Sequence, residues 1–278
     1  MLGLTNKRVL PGFGLSLGCS VFFVCLILLL PLSALVMQLA QMSWLQYWSL
    51  ITEPELIAAY KITLICAGVA SMFNAIFGML MAWILSRYRF PGRVFLDGLI
   101  DLPFALPTAV AGLTLATLFS TTGWYGFWLA QLGIKVSYTW IGIAVAMAFT
   151  SIPFVVRTVQ PVLEELGPEY EEAAQTLGAR HWQTFCRVIL PEVAPSLLAG
   201  TALSFTRSLG EFGAVIFIAG NVAWKTEVAS LMIFIRLQEF DYPAASAMAS
   251  VILSVSLMLL FGINVLQSWF GRRLGRGK

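Results

Sequence analysis

The chain is poor in charged residues. Only 11% of its 278 residues are Asp, Glu, Lys or Arg, whereas a soluble domain usually carries about a quarter. Hydrophobic residues make up 59% of the chain, and the mean hydropathy is +0.84. They also cluster in runs of about 18 or more, long enough to cross the hydrocarbon layer of a bilayer as a helix. The composition therefore excludes an ordinary soluble domain and predicts an all-α, polytopic membrane protein.

Residues that carry chemistry are scarce as well. His181 is the only histidine, and the four cysteines form no C-x-x-C pair, so neither a metal site nor a disulfide framework is indicated. The cysteines are expected to be small packing residues, and His181 a surface residue. There is no G-x-x-x-x-G-K-[ST] phosphate-binding loop and no cluster of His, Cys and carboxylates. We therefore expect no enzyme, and no metal or cofactor on this chain.

Hydropathy predicts six membrane-spanning helices in one transmembrane domain that covers residues 1–278. The spans run over Phe13–Leu39, Leu56–Leu85, Asp97–Phe119, Tyr138–Val156, Val193–Ala219 and Ala244–Phe270. Pro103 and Pro107 are expected to bend the third span, although the same prolines could serve packing alone. The first span follows Lys7 and Arg8 as a signal peptide would, but its length and the lack of an A-x-A site predict a retained anchor.

The positive charges are divided unequally between the two sides of the predicted membrane. Three lie on one side: Lys135, Lys225 and Arg236. Twelve lie on the other: Lys7, Arg8, Arg87, Arg89, Arg93, Arg157, Arg180, Arg187, Arg272, Arg273, Arg276 and Lys278. Because loops rich in Lys and Arg stay in the cytoplasm, this distribution predicts that both termini are cytoplasmic.

The segment of about thirty-five residues from Arg157 to Glu192 is a cytoplasmic loop with a helical pattern. Gly167-Pro168 predicts the start of a helix and Gly178 its end in a left-handed cap. One apolar face of this helix is formed by Tyr170, Ala173, Ala174 and Leu177. A second short helix, with Trp182, Phe185 and Ile189 on one face, is expected to end at Pro191. The pattern fits either a helical hairpin on the membrane surface or a docking element for a cytoplasmic partner.

The loop contains Glu172-Ala173-Ala174, Gly178 after three residues, Val188 after nine more, and Leu190-Pro191. These residues resemble the EAA motif of ABC importer permeases. The family usually has isoleucine in place of Val188. The resemblance implies a type I permease fold whose coupling helices seat in a groove of an ATPase subunit, which would bind the ATP and Mg. It assigns this coupling role to Glu172, Ala173, Ala174, Gly178, Leu190 and Pro191.

Five further stretches are informative: Arg8–Phe13, Asp101–Leu113, Ser204–Ala214, Ala219–Asn221 and Leu237–Pro243. They resemble the permease subunits of sulfate/thiosulfate ABC importers, within the sulfate and molybdate permease group. The resemblance implies import of sulfate or thiosulfate across the bacterial inner membrane. It implies four partners in the complex: a second homologous permease, two ATPase subunits and a periplasmic anion-binding protein. It implies no nucleic acid partner. A heterodimer of permeases is favoured and a homodimer stays open.

Three rival functions remain at this point. Import of molybdate or another oxyanion is the first, because the Arg207–Gly213 stretch is shared by that group. A secondary transporter or channel is the second, but it would not require the Glu172–Pro191 pattern. A membrane-bound enzyme is the third, and the lack of a clustered site disfavours it.

Arg207 and Glu211 are charged residues within a predicted span, four positions apart, so they share a helix face. They can form an internal ion pair, or Arg207 can lie on the anion path, since a guanidinium matches the geometry of an oxyanion. Arg207 can have both roles if Glu211 releases it during the transport cycle. Asp97 and Asp101 would not attract a dianion, and we expect them to bind arginine side chains or cap a helix.

Overall fold

The computed structural model describes residues 13–274, with side chains up to residue 265. Lys7, Arg8, Arg276 and Lys278 lie outside this range. The described chain is built from helices. In order they are α1 (Phe13–Ala40), α2 (Trp44–Ile51), α3 (Pro54–Arg87), α4 (Arg93–Ile100), α5 (Leu102–Ala105), α6 (Thr108–Leu118), α7 (Trp124–Gln131), α8 (Trp140–Leu166), α9 (Glu169–Thr176), α10 (His181–Leu209), α11 (Val215–Ile218), α12 (Ala229–Gln238) and α13 (Tyr242–Leu274).

Five of the described helices are long and apolar enough to cross a membrane: α1, α3, α8, α10 and α13. The prediction of six continuous spans is therefore wrong at the third, where residues 97–119 form parts of α4, α5 and α6 instead. Leu106 is extended, with φ −83° and ψ 135°, and separates α5 from α6. A residue that precedes a proline disfavours the helical conformation, so Pro107 accounts for this break.

The core is formed by α3 and α8, which lie parallel along their buried faces. On α3 the buried positions recur every four residues and are small: Cys66, Ala70, Asn74, Gly78 and Ala82. On α8 they recur at the same spacing and are mostly larger: Ile143, Met147, Ser151, Val155, Val159 and Leu163. Small residues allow two membrane helices to approach closely, so the larger side chains of α8 fit against α3.

The third core helix, α10, runs antiparallel to these two. A Cβ at Gly78 would lie 2.8 Å from Val155 Cγ1, and one at Gly200 would lie 2.9 Å from Val155 Cα. Next to this contact, Asn74 Nδ2 donates to Ser151 Oγ at 2.8 Å and to Ser204 Oγ at 3.1 Å. Glycines and hydroxyls thus hold α3, α8 and α10 together, in place of the hydrophobic effect, which is weak between helices in lipid.

Both helices that bound the predicted cytoplasmic loop extend further than the sequence suggested. α8 continues through Pro161 to Leu166, and α10 begins at His181 and passes Pro191 without ending. A π turn, Phe185–Ile189, lies directly before Leu190-Pro191, as another, Cys25–Leu29, lies before Leu30-Pro31 in α1. A widened turn relieves the clash between a proline ring and the preceding turn, which explains why Pro191 does not end the helix.

The first helix stands apart from this core. None of the residues of α1 is buried, and its main contact with the rest of the chain is with α13. Phe22, Ile27 and Leu30 are among the apolar side chains that it leaves exposed. In a bilayer such a surface faces lipid or another protein, and its hydrophobicity is satisfied by either.

Candidate functional site

The loop between α8 and α10, residues 167–180, carries the first candidate site. It starts at Gly167, with φ +66°, and its helix α9 ends before Gly178, with φ +80°. Both glycines adopt a left-handed conformation that other residues avoid, which confirms the predicted start and end. Glu169, Glu171 and Glu172 occupy the first turn of α9, where a negative charge is favoured by the helix dipole.

Three of the four residues on the apolar face predicted for α9 are exposed. Leu177 is 88% exposed, and Trp182, at the start of α10, is 73% exposed. Glu172 and Ala173 are exposed beside them, whereas Ala174 is buried. This exposed leucine and tryptophan, next to a glycine turn, form a surface that either another protein or the membrane interface can cover.

The other two residues of the EAA resemblance lie elsewhere. Leu190 and Pro191 belong to α10, about 14 Å along the helix from His181 at a rise of 1.5 Å per residue. Leu190 is partly buried and Pro191 is exposed. The structure therefore brings Glu172, Ala173 and Gly178 to one exposed tip, and it does not bring Leu190 and Pro191 there.

Arg87, in the last turn of α3, anchors the 167–180 loop to the core. Its Nε lies 2.6 Å from Glu171 Oε1, while its two terminal nitrogens donate to the carbonyl oxygens of Leu163, at 2.8 Å, and Gly167, at 3.1 Å. The side chain of Arg87 is only 12% exposed. Sequence analysis counted Arg87 only as one of the cytoplasmic charges, and nothing in the local pattern signals its contacts.

A cavity of about 880 Å³ lies between this loop and α3. Its lining includes Trp83, Arg87, Glu171, Gln175, His181 and Trp182. His181 is exposed, which confirms the predicted surface position. Trp83 packs edge-on against Phe185, with ring centroids 5.4 Å apart, and Phe185 in turn stacks on Trp182. Aromatic side chains therefore support the start of α10 from the side of α3.

The second candidate site is the pair Arg207 and Glu211. Arg207 Nη1 lies 2.6 Å from Glu211 Oε2, which confirms the predicted ion pair. Glu211 is 1% exposed and also accepts a hydrogen bond from the amide of Ala214 through Oε1. The side chain of Arg207 is 33% exposed. The carboxylate is thus sequestered, whereas the arginine side chain is partly accessible.

Two of the stretches that carry the family resemblance meet at this pair. α10 ends at Leu209, and the segment that follows packs against the start of α6. A side chain at Gly213 would clash with Thr108 Oγ1, and one at Gly112 would clash with the backbone of Ala214. The predicted fifth span, Val193–Ala219, is thus also wrong as one helix, since α10 ends at Leu209 and α11 begins at Val215. Its break lies beside the break of the third span. Sequence reasoning missed this contact, although the glycines at both positions were a signal for it.

Asp97 and Asp101 lie at the end of the core where α3 ends, and both bind Arg157 of α8. The guanidinium of Arg157 donates to Asp101 through Nε, at 2.8 Å, and Nη2, at 2.6 Å, and to Asp97 Oδ1 through Nη1, at 2.7 Å. This confirms that the two aspartates bind an arginine. Their function is to attach α4 and the start of α5 to α8.

The cysteines and the remaining polar residues show no further centre. Cys19, Cys25, Cys66 and Cys186 are free thiols, and of these only Cys66 is buried. In the part of the chain that the structure describes, no group of three or more His, Cys, Asp or Glu side chains could hold a metal ion. The arrangement offers surfaces for binding and movement rather than a reactive constellation.

Known proteins similar to this chain are membrane components of transport systems. The family model described as "Binding-protein-dependent transport system inner membrane component" matches residues 74–276. The sulfate transport system permease protein CysT of Escherichia coli (strain K12) is 77% identical over 274 residues, 99% of each chain. CysT of Synechocystis sp. (strain ATCC 27184 / PCC 6803 / Kazusa) is 49% identical over 254 residues, 91% of this chain and 88% of that one.

Among solved structures, a chain of a bacterial alginate ABC transporter, in complex with an alginate pentasaccharide-bound periplasmic protein, has a TM-score of 0.75 and 22% identity, and the match covers 93% of both chains. At that identity the likeness concerns the fold alone. The matched family segment takes in α8, the 167–180 loop and α10, together with the Arg207–Glu211 pair. The chain therefore belongs to the family of binding-protein-dependent transport system inner membrane components.

Proposed function

We propose that this chain is the permease subunit of an ABC importer for sulfate, driven by ATP hydrolysis on a partner subunit. The observation that carries the proposal is the 77% identity to a sulfate permease over 99% of both chains. No covalent chemistry is asked of the chain. It supplies a path through the membrane that opens alternately to each side, and thiosulfate fits the same path as an oxyanion of equal charge.

The 167–180 loop is the proposed docking site for the ATPase. The exposed apolar side chains of Leu177, in the loop, and of Trp182, directly after it in α10, gain from being covered by a partner. The exposed Ala173 and Gly178 allow a partner surface to approach closely. When two ATPase subunits bind ATP and Mg and close on each other, the loop moves with them. The same contact transmits the ATP-driven movement of the ATPase subunits to the membrane helices, because the loop connects α8 to α10.

The proposed complex contains further subunits. A binding protein on the periplasmic side would deliver the anion, and a second homologous permease, most simply a different chain, would form the other half of the path. Both termini of this chain would lie in the cytoplasm, as the twelve-to-three distribution of Lys and Arg indicates. The exposed apolar surface of α1 supports assembly with another membrane subunit, although lipid also satisfies it.

Arg207 is the proposed cationic contact on the anion path. Its side chain is one third exposed next to a buried Glu211, and a guanidinium matches the geometry of an oxyanion. Its partner Glu211 also binds the amide of Ala214, which packs against Gly112 of α6, the helix that follows the break at Leu106. Discontinuous membrane helices often surround transported ions. An Arg207→Ala complex that still docks the ATPase and imports sulfate at the parental rate would rule the path role out.

The test is ATP-driven uptake of labelled sulfate by the reconstituted complex, comparing the parent with Gly178→Asp. A negative side chain at the exposed tip should abolish uptake and co-purification of the ATPase. Gly178→Asn is the matched control, because asparagine has the same size as aspartate and tolerates the left-handed conformation, but adds no charge. Gly133→Asp is a second control, since Gly133 has φ +75° with open space around it but lies outside the loop.

Each outcome has a definite meaning. Loss in Gly178→Asp together with uptake in both controls supports the docking site and the substrate. Normal uptake and assembly in Gly178→Asp would remove the docking assignment. A parent complex that hydrolyses ATP and imports molybdate but not sulfate would keep the ABC permease and replace the substrate.

A further inference from the structure

The helix α9 has little apolar contact with the core and lies against the first turns of α10, His181–Thr184 and Phe185–Ile189. It has eight residues, and Ala174 is its only buried one. A helix of this length is marginal by itself and cannot be fixed in place by so little apolar burial. Its orientation relative to α3 and α8 therefore depends on side chains that reach it from the core.

Arg87 provides that contact from a single side chain. Its guanidinium binds the last turn of α8 through Leu163, the turn through Gly167, and the first turn of α9 through Glu171. Trp83, one turn earlier on α3, lies under the guanidinium at 5.8 Å. A planar group with donors on several sides can hold three acceptors in a fixed arrangement, which a flexible ammonium group cannot.

The contact continues into the rigid part of the bundle. Arg87 is in the same helix as Gly78 and Asn74, where α3 meets α8 and α10 through close packing and hydrogen bonds. Trp83 also packs on Phe185 of α10. A displacement of α9 that is passed to Arg87 thus reaches all three core helices, without a flexible segment between them.

We propose that Arg87, through its ion pair with Glu171 and its two backbone contacts, is the positioning residue that makes α9 and the membrane core move as one body. This inference rests on the proposed function, because it assigns to Arg87 the transmission of ATPase movement. Without Arg87 the loop still docks and ATP is still hydrolysed, but α9 tilts on its own and less sulfate is imported for each ATP hydrolysed.

A purely structural role for Arg87 predicts something different. An arginine that binds carbonyls at the end of a helix stabilises that helix end. If that were all, its loss would lower the amount of folded complex, and the complex that remains would import the parental quantity of sulfate per ATP. The ratio of transport to hydrolysis therefore separates the two roles.

The experiment uses the whole complex, with its ATPase, second permease and binding protein, in proteoliposomes. Arg87→Met is compared with Arg93→Met, the matched control, since Arg93 pairs with Glu164 at 3.9 Å at the same end of the core with both groups partly exposed. In Arg87→Met the sulfate imported per ATP should fall roughly 2- to 30-fold, the range that mutations within a coupling network produce. Arg93→Met should keep the parental ratio, and Arg87→Lys should lie between Arg87→Met and the parent.

Hydrogen–deuterium exchange gives a readout that does not depend on transport. In Arg87→Met the backbone amides of residues 167–178 should exchange faster, while those of the 143–159 segment of α8 stay protected. If too little Arg87→Met complex assembles, Glu171→Gln serves in its place, because it leaves both backbone contacts of Arg87 intact. In Glu171→Gln too we expect less sulfate imported per ATP and faster exchange of the backbone amides of residues 167–178.

Two failures are distinguishable. The inference is overturned if Arg87→Met imports the parental quantity of sulfate per ATP, or if Glu171→Gln does so where it replaces Arg87→Met. The proposed function is then left intact. If Gly178→Asp also docks and transports normally, it is the proposed docking loop that fails.

Discussion

Gly112 of α6 faces the backbone of Ala214 so closely that a methyl group at position 112 would overlap its carbonyl oxygen. The two residues are about a hundred positions apart, and each follows a break in its helix. Contact between two broken segments requires that one of them has no side chain at the point of contact. This pair therefore fixes how the α4–α6 region meets the end of α10.

Gly112→Ala should destabilise the protein by about 1–3 kcal/mol, the usual effect of overpacking a closely packed site. Gly68→Ala is the control, because Gly68 lies in α3 with nothing within 4 Å of an added Cβ. It should be neutral or slightly stabilising, since alanine is the better helix former. The free energy of unfolding in mixed micelles measures both. Equal stability of the two variants would show that the Gly112 contact relaxes freely.

The Arg207–Glu211 pair should respond unequally to the loss of its two members. Arg207→Ala leaves a carboxylate that is 1% exposed without its cation, and should destabilise the fold by about 3–5 kcal/mol. Glu211→Gln leaves an arginine that is one third exposed and can be solvated, so its effect should be smaller. The double variant should be more stable than Arg207→Ala alone. Unfolding of the four proteins in one double-mutant cycle tests this order.

Ser151 joins three helices, because its hydroxyl accepts from Asn74 and Ser204 and donates to the carbonyl of Met147. Ser151→Ala should lower the free energy of unfolding by about 0.6–2 kcal/mol, the range of interhelical hydrogen bonds in membranes. Ser254→Ala, at an exposed position of α13, is the control and should change little. An effect no larger than that of the control would mean that water or a neighbouring hydroxyl replaces Ser151.

Arg157→Lys should weaken the attachment of α4 to α8, although the charge is kept. The bidentate contact with Asp101 and the contact with Asp97 use the shape of the guanidinium. We expect a loss of about 1–2 kcal/mol, at the lower end for charged hydrogen bonds because the site is partly exposed. A double-mutant cycle with Asp101→Asn measures the coupling, and a coupling near zero would contradict it.

The helix faces of the core were accessible from the sequence. Cys66, Ala70, Asn74, Gly78 and Ala82 recur every four residues, and in a membrane helix such a stripe marks the closest neighbour. The glycine turn of the 167–180 loop was predicted because the conformation of such a turn depends on local geometry alone. The break of the third span was only half predicted: the prolines indicated a bend, but not that Leu106 leaves the helix altogether.

The role of Arg87 could not be predicted in the same way. Its acceptors lie more than seventy positions away in the chain, and two of them are backbone carbonyls, which have no sequence signature. By local pattern Arg87 resembles Arg89, which is exposed. Only the parallel alignment of α3 and α8 brings Arg87 to Leu163, and that alignment depends on packing along the whole length of both helices.

The isolation of α1 has a consequence for how the protein is made. A helix in lipid satisfies its own backbone hydrogen bonds, so α1 can insert as soon as it is synthesised without waiting for a partner in its own chain. The core, by contrast, is incomplete until residue 209 has left the ribosome, because α10 supplies its third side. We therefore expect two steps in biogenesis, an early insertion of α1 and a late closure of the bundle.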